Sequence, residues 1–162
     1  GVEDEQGTRW DENFQVWQFK DDATLDKRGD QKPIVVPFWS QSPDYTLTWQ
    51  YDKTANVYRR FHGDTPQTDP NTGEHLSAKV VVVQFQVETM ANDGYPDGHL
   101  LYKTTGSGNA LIFMDGQAIV GKWVKEQRSS RTKFLNAKGQ ELELNRGQIW
   151  IQTVPAGNDV TY

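Results

Sequence analysis

The amino-acid sequence predicts an all-β fold: antiparallel sheets arranged as a curled sandwich or a partly open barrel, with short hairpins and few or no helices. Three observations carry the expectation. Short apolar runs recur from residue 45 to the end, several with side chains alternating between apolar and polar. Between them stand turn signals at 52–56 (DKTAN), 69–73 (DPNTG), 115–116 (DG), 136–139 (NAKG) and 145–147 (NRG), which place Asn, Asp or Gly where a reversing backbone needs positive φ or a side-chain cap. No segment sustains a 3.6-residue apolar period behind a cap, so helices are not expected.

Taken in order, residues 14–19 (FQVWQF) read as a short aromatic strand, and the polar, gapped run 20–32 reads as a loop or linker. Residues 33–39 (PIVVPFW) carry a proline on each flank of an apolar core, the signature of an edge strand whose missing N–H groups face away from a neighbour. In residues 45–51 (YTLTWQY), Tyr45, Leu47, Trp49 and Tyr51 share one face, and 57–61 (VYRRF) returns as the partner across a hairpin. Residues 78–88 (AKVVVVQFQVE) form the expected central strand, covered on both sides at its start and on one side at its end, where Gln84, Gln86 and Glu88 take over the second face. Residues 90–99 read as an exposed loop, followed by strands at 100–104 and 110–114, a tight Asp115-Gly116 hairpin onto 117–124, and short strands at 132–135, 141–144 and 148–154. The Asn145-Arg146-Gly147 turn is expected to join the last two.

Composition excludes several classes. The 162 residues suit one domain plus an extension, and six Trp, six Tyr and seven Phe supply bulk for a small core. Without Cys there is no disulfide framework, thiol nucleophile or thiolate metal site. No apolar run is long enough for a membrane-spanning helix. Residues 1–30 hold nine acids against four bases, whereas 122–138 hold six bases against Glu126 alone. A chain of net charge −5 with one short basic stretch is poorly suited to duplex nucleic acid, where binding scales with the phosphates neutralised.

Chemical candidates each compete with a plainer reading. Asp64, Asp69, Asn71, Gly73 and Glu74 have the oxygen-rich look of a calcium loop without its spacing, and Asp-Pro-Asn-Thr-Gly is also ordinary turn chemistry. Asn92, Asp93 and Asp97 invite the same comparison. His62, His75 and His99 share no metal-ligand spacing, and Ser107 between Gly106 and Gly108 lacks the G-x-S-x-G elbow. No metal and no cofactor is implied, and no carboxylate pair stands out as catalytic. The retained candidate for ligand binding is the basic stretch: Lys122, Lys125, Arg128 and Arg131 around Trp123, with Ser129 as a hydroxyl donor. Such a set can hold a phosphate or carboxylate polymer by charge-assisted bonds and stacking. Its plainer reading is a solvated hairpin edge that discourages strand addition. Trp39, beside Ser40, is a second candidate as a sugar platform.

The segments WQYD (49–52), YRRF (58–61), DPNTGE (69–74), VVVVQF (80–85), GSGNA (106–110), GKW (121–123) and LNRGQIW (144–150), with Val154-Pro155 behind them, follow one another over about two thirds of the chain. In this order they resemble the C-terminal region of the YerB-like family, bacterial lipoproteins of unknown function. The resemblance implies an extracytoplasmic protein anchored by lipid, with a larger N-terminal domain and a lipobox cysteine that have no counterpart here. Residues 1–32 would then be an acidic connecting segment and 33–162 an all-β domain. No catalytic residue carries over. The reading is a non-enzymatic binding or interaction module at the cell envelope, meeting an envelope protein or an anionic wall polymer, with no nucleic acid, and with the membrane reached only through the absent anchor. The competing readings are a carboxylate-dependent hydrolase of cell-wall glycan and a structural or regulatory partner of another wall protein.

Overall fold

The computed structural model describes residues 15–38, 43–95 and 98–162. In chain order the strands are β1 (Phe19–Lys20), β2 (Ile34–Pro37), β3 (Thr46–Asp52), β4 (Val57–His62) and β5 (Thr65–Pro66). There follow β6 (Ser77–Ala78), β7 (Val80–Gln86), β8 (Glu88–Met90), β9 (Leu100–Tyr102) and β10 (Gly106–Met114). The last four are β11 (Gln117–Lys125), β12 (Lys133–Leu135), β13 (Leu144–Asn145) and β14 (Ile149–Pro155). Among the described residues the only helical turns are two three-residue 3-10 turns, Leu25–Lys27 and Pro43–Tyr45.

Two sheets stack as a sandwich, and neither closes into a barrel. One runs β2-β3-β4-β5, with β6 also on β4; the other runs β12-β11-β10-β7-β14. The expected edge strand, the β3–β4 hairpin and the β10–β11 hairpin all form, and the turns reverse as their residues require, with Asn56 at φ +55° and Asp115 and Gly116 at +52° and +68°. Most neighbours are antiparallel, but β14 lies parallel to β7 and β1 parallel to β13. Asn145-Arg146-Gly147 therefore joins strands of different sheets and makes no hairpin.

β7 is the shared wall. Val81 and Val83 face the sandwich interior with Ile34, Trp49, Tyr58, Leu111 and Phe113. Val80 and Val82 face a second core with Ile112, Trp123, Phe134 and Leu144, closed by Trp17. Its far half departs from expectation, since Gln84 and Gln86 are buried as well.

Residues 17–30, whose first three belong to the strand expected at 14–19 and the rest to the expected loop or linker, lie against this second core as a strap. The Trp17 indole donates to the Thr132 carbonyl at 2.7 Å, and the amides of Leu144 and Arg146 donate to the carbonyls of Gln18 and Lys20. On either side of the loop expected at 90–99, β8 and β9 pair as a small arm that prolongs the β7–β10 ladder outward.

Candidate functional site

Consecutive residues of a strand face opposite sides, and this divides the basic stretch. Lys122 is exposed on β11, whereas Trp123 is 2% exposed and donates its indole N–H to the Phe85 carbonyl at 2.7 Å. Trp123 thus offers no stacking face beside the cations. Lys125 caps the Ser130 carbonyl, Arg131 is held two-pronged by the Glu141 carboxylate, and Lys133 lies 3.5 Å from Glu126. Arg128 and Ser129 sit exposed in the turn between β11 and β12. The structure brings Lys125, Arg131 and Lys133 together with two acids, and leaves Lys122 and Arg128 in solvent without a described ion-pair partner.

Behind Trp123 lies a groove of about 460 Å³ that sequence reasoning missed. Phe85, Val87 and Trp123 make its floor; Lys103, Ser107, Asn109, Asn158 and Asp159 make its polar rim. Gly108 permits it, since a Cβ there would stand 2.5 Å from the Trp123 indole nitrogen and 2.7 Å from the Phe85 carbonyl oxygen. The G-S-G sequence is thus a close-packing device, and Ser107 is a rim hydroxyl on a strand. The arm begins at the groove's edge. Val87, Met90, Leu100 and Leu101 are all about half exposed or more along it, with Met90 at 65%. Val87 and Leu101 share the face that runs on to the groove, while Met90 and Leu100 pair on the other face of the arm; an exposed apolar face next to a part-polar groove is the usual look of an interaction site. The only hint in the sequence is Leu100-Leu101 directly after a Gly/Pro/Asp-rich turn.

The most strongly perturbed carboxylate lies elsewhere. Asp115, 6% exposed, accepts from Lys20 Nζ at 2.5 Å, from Asn56 Nδ2 at 2.8 Å, from Asn145 Nδ2 at 2.6 Å and from the Ala23 amide at 3.1 Å. Burial pushes its pKa up, but these donors outweigh burial and hold it at about 2. Around it, Tyr51 donates to Asn56, Lys79 pairs with Asp22 at 2.5 Å, and the buried Tyr58 hydroxyl accepts the Gly116 amide. With both carboxylate oxygens engaged, this network fixes the strap and the β10–β11 turn in place.

The remaining candidates are spent locally. Asp69 caps the amides of Asn71 and Thr72, which is the turn chemistry of its sequence. Asp93 pairs with His99 at 2.5 Å and caps Tyr95, and His75 donates its Nε2–H to the Arg60 carbonyl at 2.7 Å. The three histidines sit on separate elements, and among the described residues no three His, Cys, Asp or Glu converge. Trp39 and Asp97 lie outside the described residues.

None of the curated proteins matches the chain. Among solved structures, the YerB protein of Bacillus subtilis is similar, with a TM-score of 0.69 at 20% identity over 83% of this chain. At that identity the likeness shows the fold, and the matched region spans 45% of the YerB chain. The profile of the family described as "Protein of unknown function (DUF3048) C-terminal domain" matches residues 34–151. That match takes in both sheets except the last part of β14, and this chain belongs to the DUF3048 C-terminal domain family.

Proposed function

We propose that this domain is a non-enzymatic interaction module that docks a protein partner at the bacterial cell envelope, using the β8–β9 arm and the adjoining groove. The observation that carries it is the run along one face of the arm from the exposed Leu101, through Val87, to the groove at Phe85. Isolated apolar side chains on a surface need no explanation, but a projecting strand pair lined with them beside a groove fits an extended apolar segment of another protein. The envelope setting rests on the resemblance to bacterial lipoproteins. The hydrolase reading has less support, since the groove lining carries one carboxylate, Asp159.

The test is residue-specific photo-crosslinking in envelope preparations. A crosslinker replacing Leu101 is expected to give a discrete adduct that Val87→Glu abolishes, while one replacing Val120 gives none. Adduct formation from both positions alike, or from neither, defeats the arm-and-groove reading. A second reading keeps the anionic wall polymer, favoured by the solvent-exposed Lys122 and Arg128. It predicts that Lys122→Ala with Arg128→Ala lowers retention on such a polymer at low salt and leaves retention at high salt unchanged.

A further inference from the structure

Three of the four sheet margins in this sandwich are covered or cut short. Val35 of β2 exchanges two backbone bonds with Thr161, at 2.8 and 3.1 Å. Beyond β12, Glu141 bridges Leu135, and the Leu142 amide donates to the Phe134 carbonyl at 2.9 Å. The outer side of β4 meets only β5 and β6, two residues each, and β5 ends in Pro66. β14 is the exception. It runs for seven residues, pairs with β7 on one side, and among the described residues no backbone bond reaches its other side.

Register decides which groups stand on that open side. The Gln148 carbonyl accepts the Val80 amide at 3.3 Å, and the Ala156 amide donates to the Gln86 carbonyl at 2.8 Å. Alternation between these two points turns the backbone groups of Ile149, Ile151 and Thr153 away from β7, each with an N–H and a C=O directed outward. Pro155 falls at the next outward position, where its missing N–H leaves the β7 ladder intact and ends the usable edge. Proteins guard long edges with charge, proline or bulges. Residues 149–154 carry no charged side chain, and Ile151 at their middle is 38% exposed.

We infer that β14 is a self-pairing edge, at which two copies of this chain join antiparallel about a two-fold axis through Ile151. The strand is complementary to itself, which a two-fold interface requires. In that register Ile151 lies opposite its own counterpart and Ile149 opposite Thr153, so β-branched side chains meet across the ladder and no like charges do. Pro155 lies beyond the last pair and interrupts nothing. The exposed isoleucine is covered, and the β14 sheets of the two copies run on as one. A ladder this short buries far less than a standard interface, so the dimer is weak and forms at high protein concentration. The inference does not rest on the arm-and-groove reading.

The experiment uses the whole chain. Sedimentation velocity from micromolar to millimolar protein is expected to show reversible conversion of monomer to dimer. Hydrogen exchange read by NMR is expected to show the Ile149, Ile151 and Thr153 amides slowing as concentration rises, while the Arg128 amide in the β11–β12 turn keeps its rate. Ile151→Lys sets like charges opposite each other at the axis, and Ile151→Pro removes the central N–H without touching the β7 ladder; each is expected to weaken the dimer roughly tenfold or more. Val120→Lys, on exposed β11, is expected to leave it unchanged. A monomer at every concentration, or a dimer indifferent to both Ile151 variants, overturns the inference and leaves the edge to a strand of another protein. Outward amides already slow in the dilute monomer overturn it too, since another part of the chain would then cover β14. If Ile151→Pro does not fold, Ile151→Lys and the amide rates decide.

Discussion

Four donors converge on Asp115, and their geometry fixes how the protein responds to acid. Its folded-state pKa of about 2 lies below the value of about 3.9 that an unfolded chain gives. The stabilisation it contributes is therefore complete above about pH 4 and is lost as pH falls through about 2, an amount on the order of 2 kcal/mol. Asp115→Asn removes the charge and sets an amide against two others, so we expect about 2 to 4 kcal/mol of destabilisation in urea unfolding at neutral pH. The variant should also lose much of the wild-type slope of stability between pH 4 and 2. Asp115-Gly116 was legible as a turn because positive φ is a local demand. Its role in the network was not, because Lys20, Asn56 and Asn145 lie 95, 59 and 30 residues away in the chain.

Strands that face a core declare themselves, as β3 does on one face through Leu47 and Trp49 and β7 on both through its four valines. Two-residue elements are harder. β1 and β13 overlap the ends of the strands expected at 14–19 and 141–144, but their parallel pairing, which holds the strap, depends on partners supplied by the fold. The strand expected at 100–104 forms as β9, but its place in an exposed arm was not legible, since its leucines are apolar and yet exposed, and burial is what sequence periodicity reports. Trp123 was misjudged as a stacking platform because its burial depends on the side-chain-free Gly108 across the β10–β11 hairpin and on Phe85 of β7, which lies far from it in sequence. The strap offers an element-level test at Gly29, whose amide donates to the Asp115 carbonyl at 2.8 Å and whose Cα hydrogens face the Gly116 carbonyl. A methyl group there would collide with that oxygen, so Gly29→Ala should cost about 1 to 3 kcal/mol and lift the strap. Hydrogen exchange should then show Leu144 and Arg146 amides losing protection while the β10–β11 ladder keeps its own. Uniform loss across all strands would show that strap and sandwich unfold as one unit.

The whole molecule stands on β7, which faces one core on each side. Val82→Ala is expected to cost about 2 to 3 kcal/mol from lost burial and the cavity left behind. Val120, 62% exposed, should change by less than about 0.5 kcal/mol on the same substitution. A similar cost at both sites in denaturant titration would mean that the second layer is not packed as described. The parallel docking of β14 on β7 has a further consequence, for the order of events during synthesis. Residues 80–86 cannot complete their ladder until 149–155 have left the ribosome. The central strand is thus completed by a strand that comes much later in the chain, a long-range closure of the kind that slows folding. Until then a valine-rich margin stands open to any passing chain, and that interval is when a chaperone would matter most to this protein.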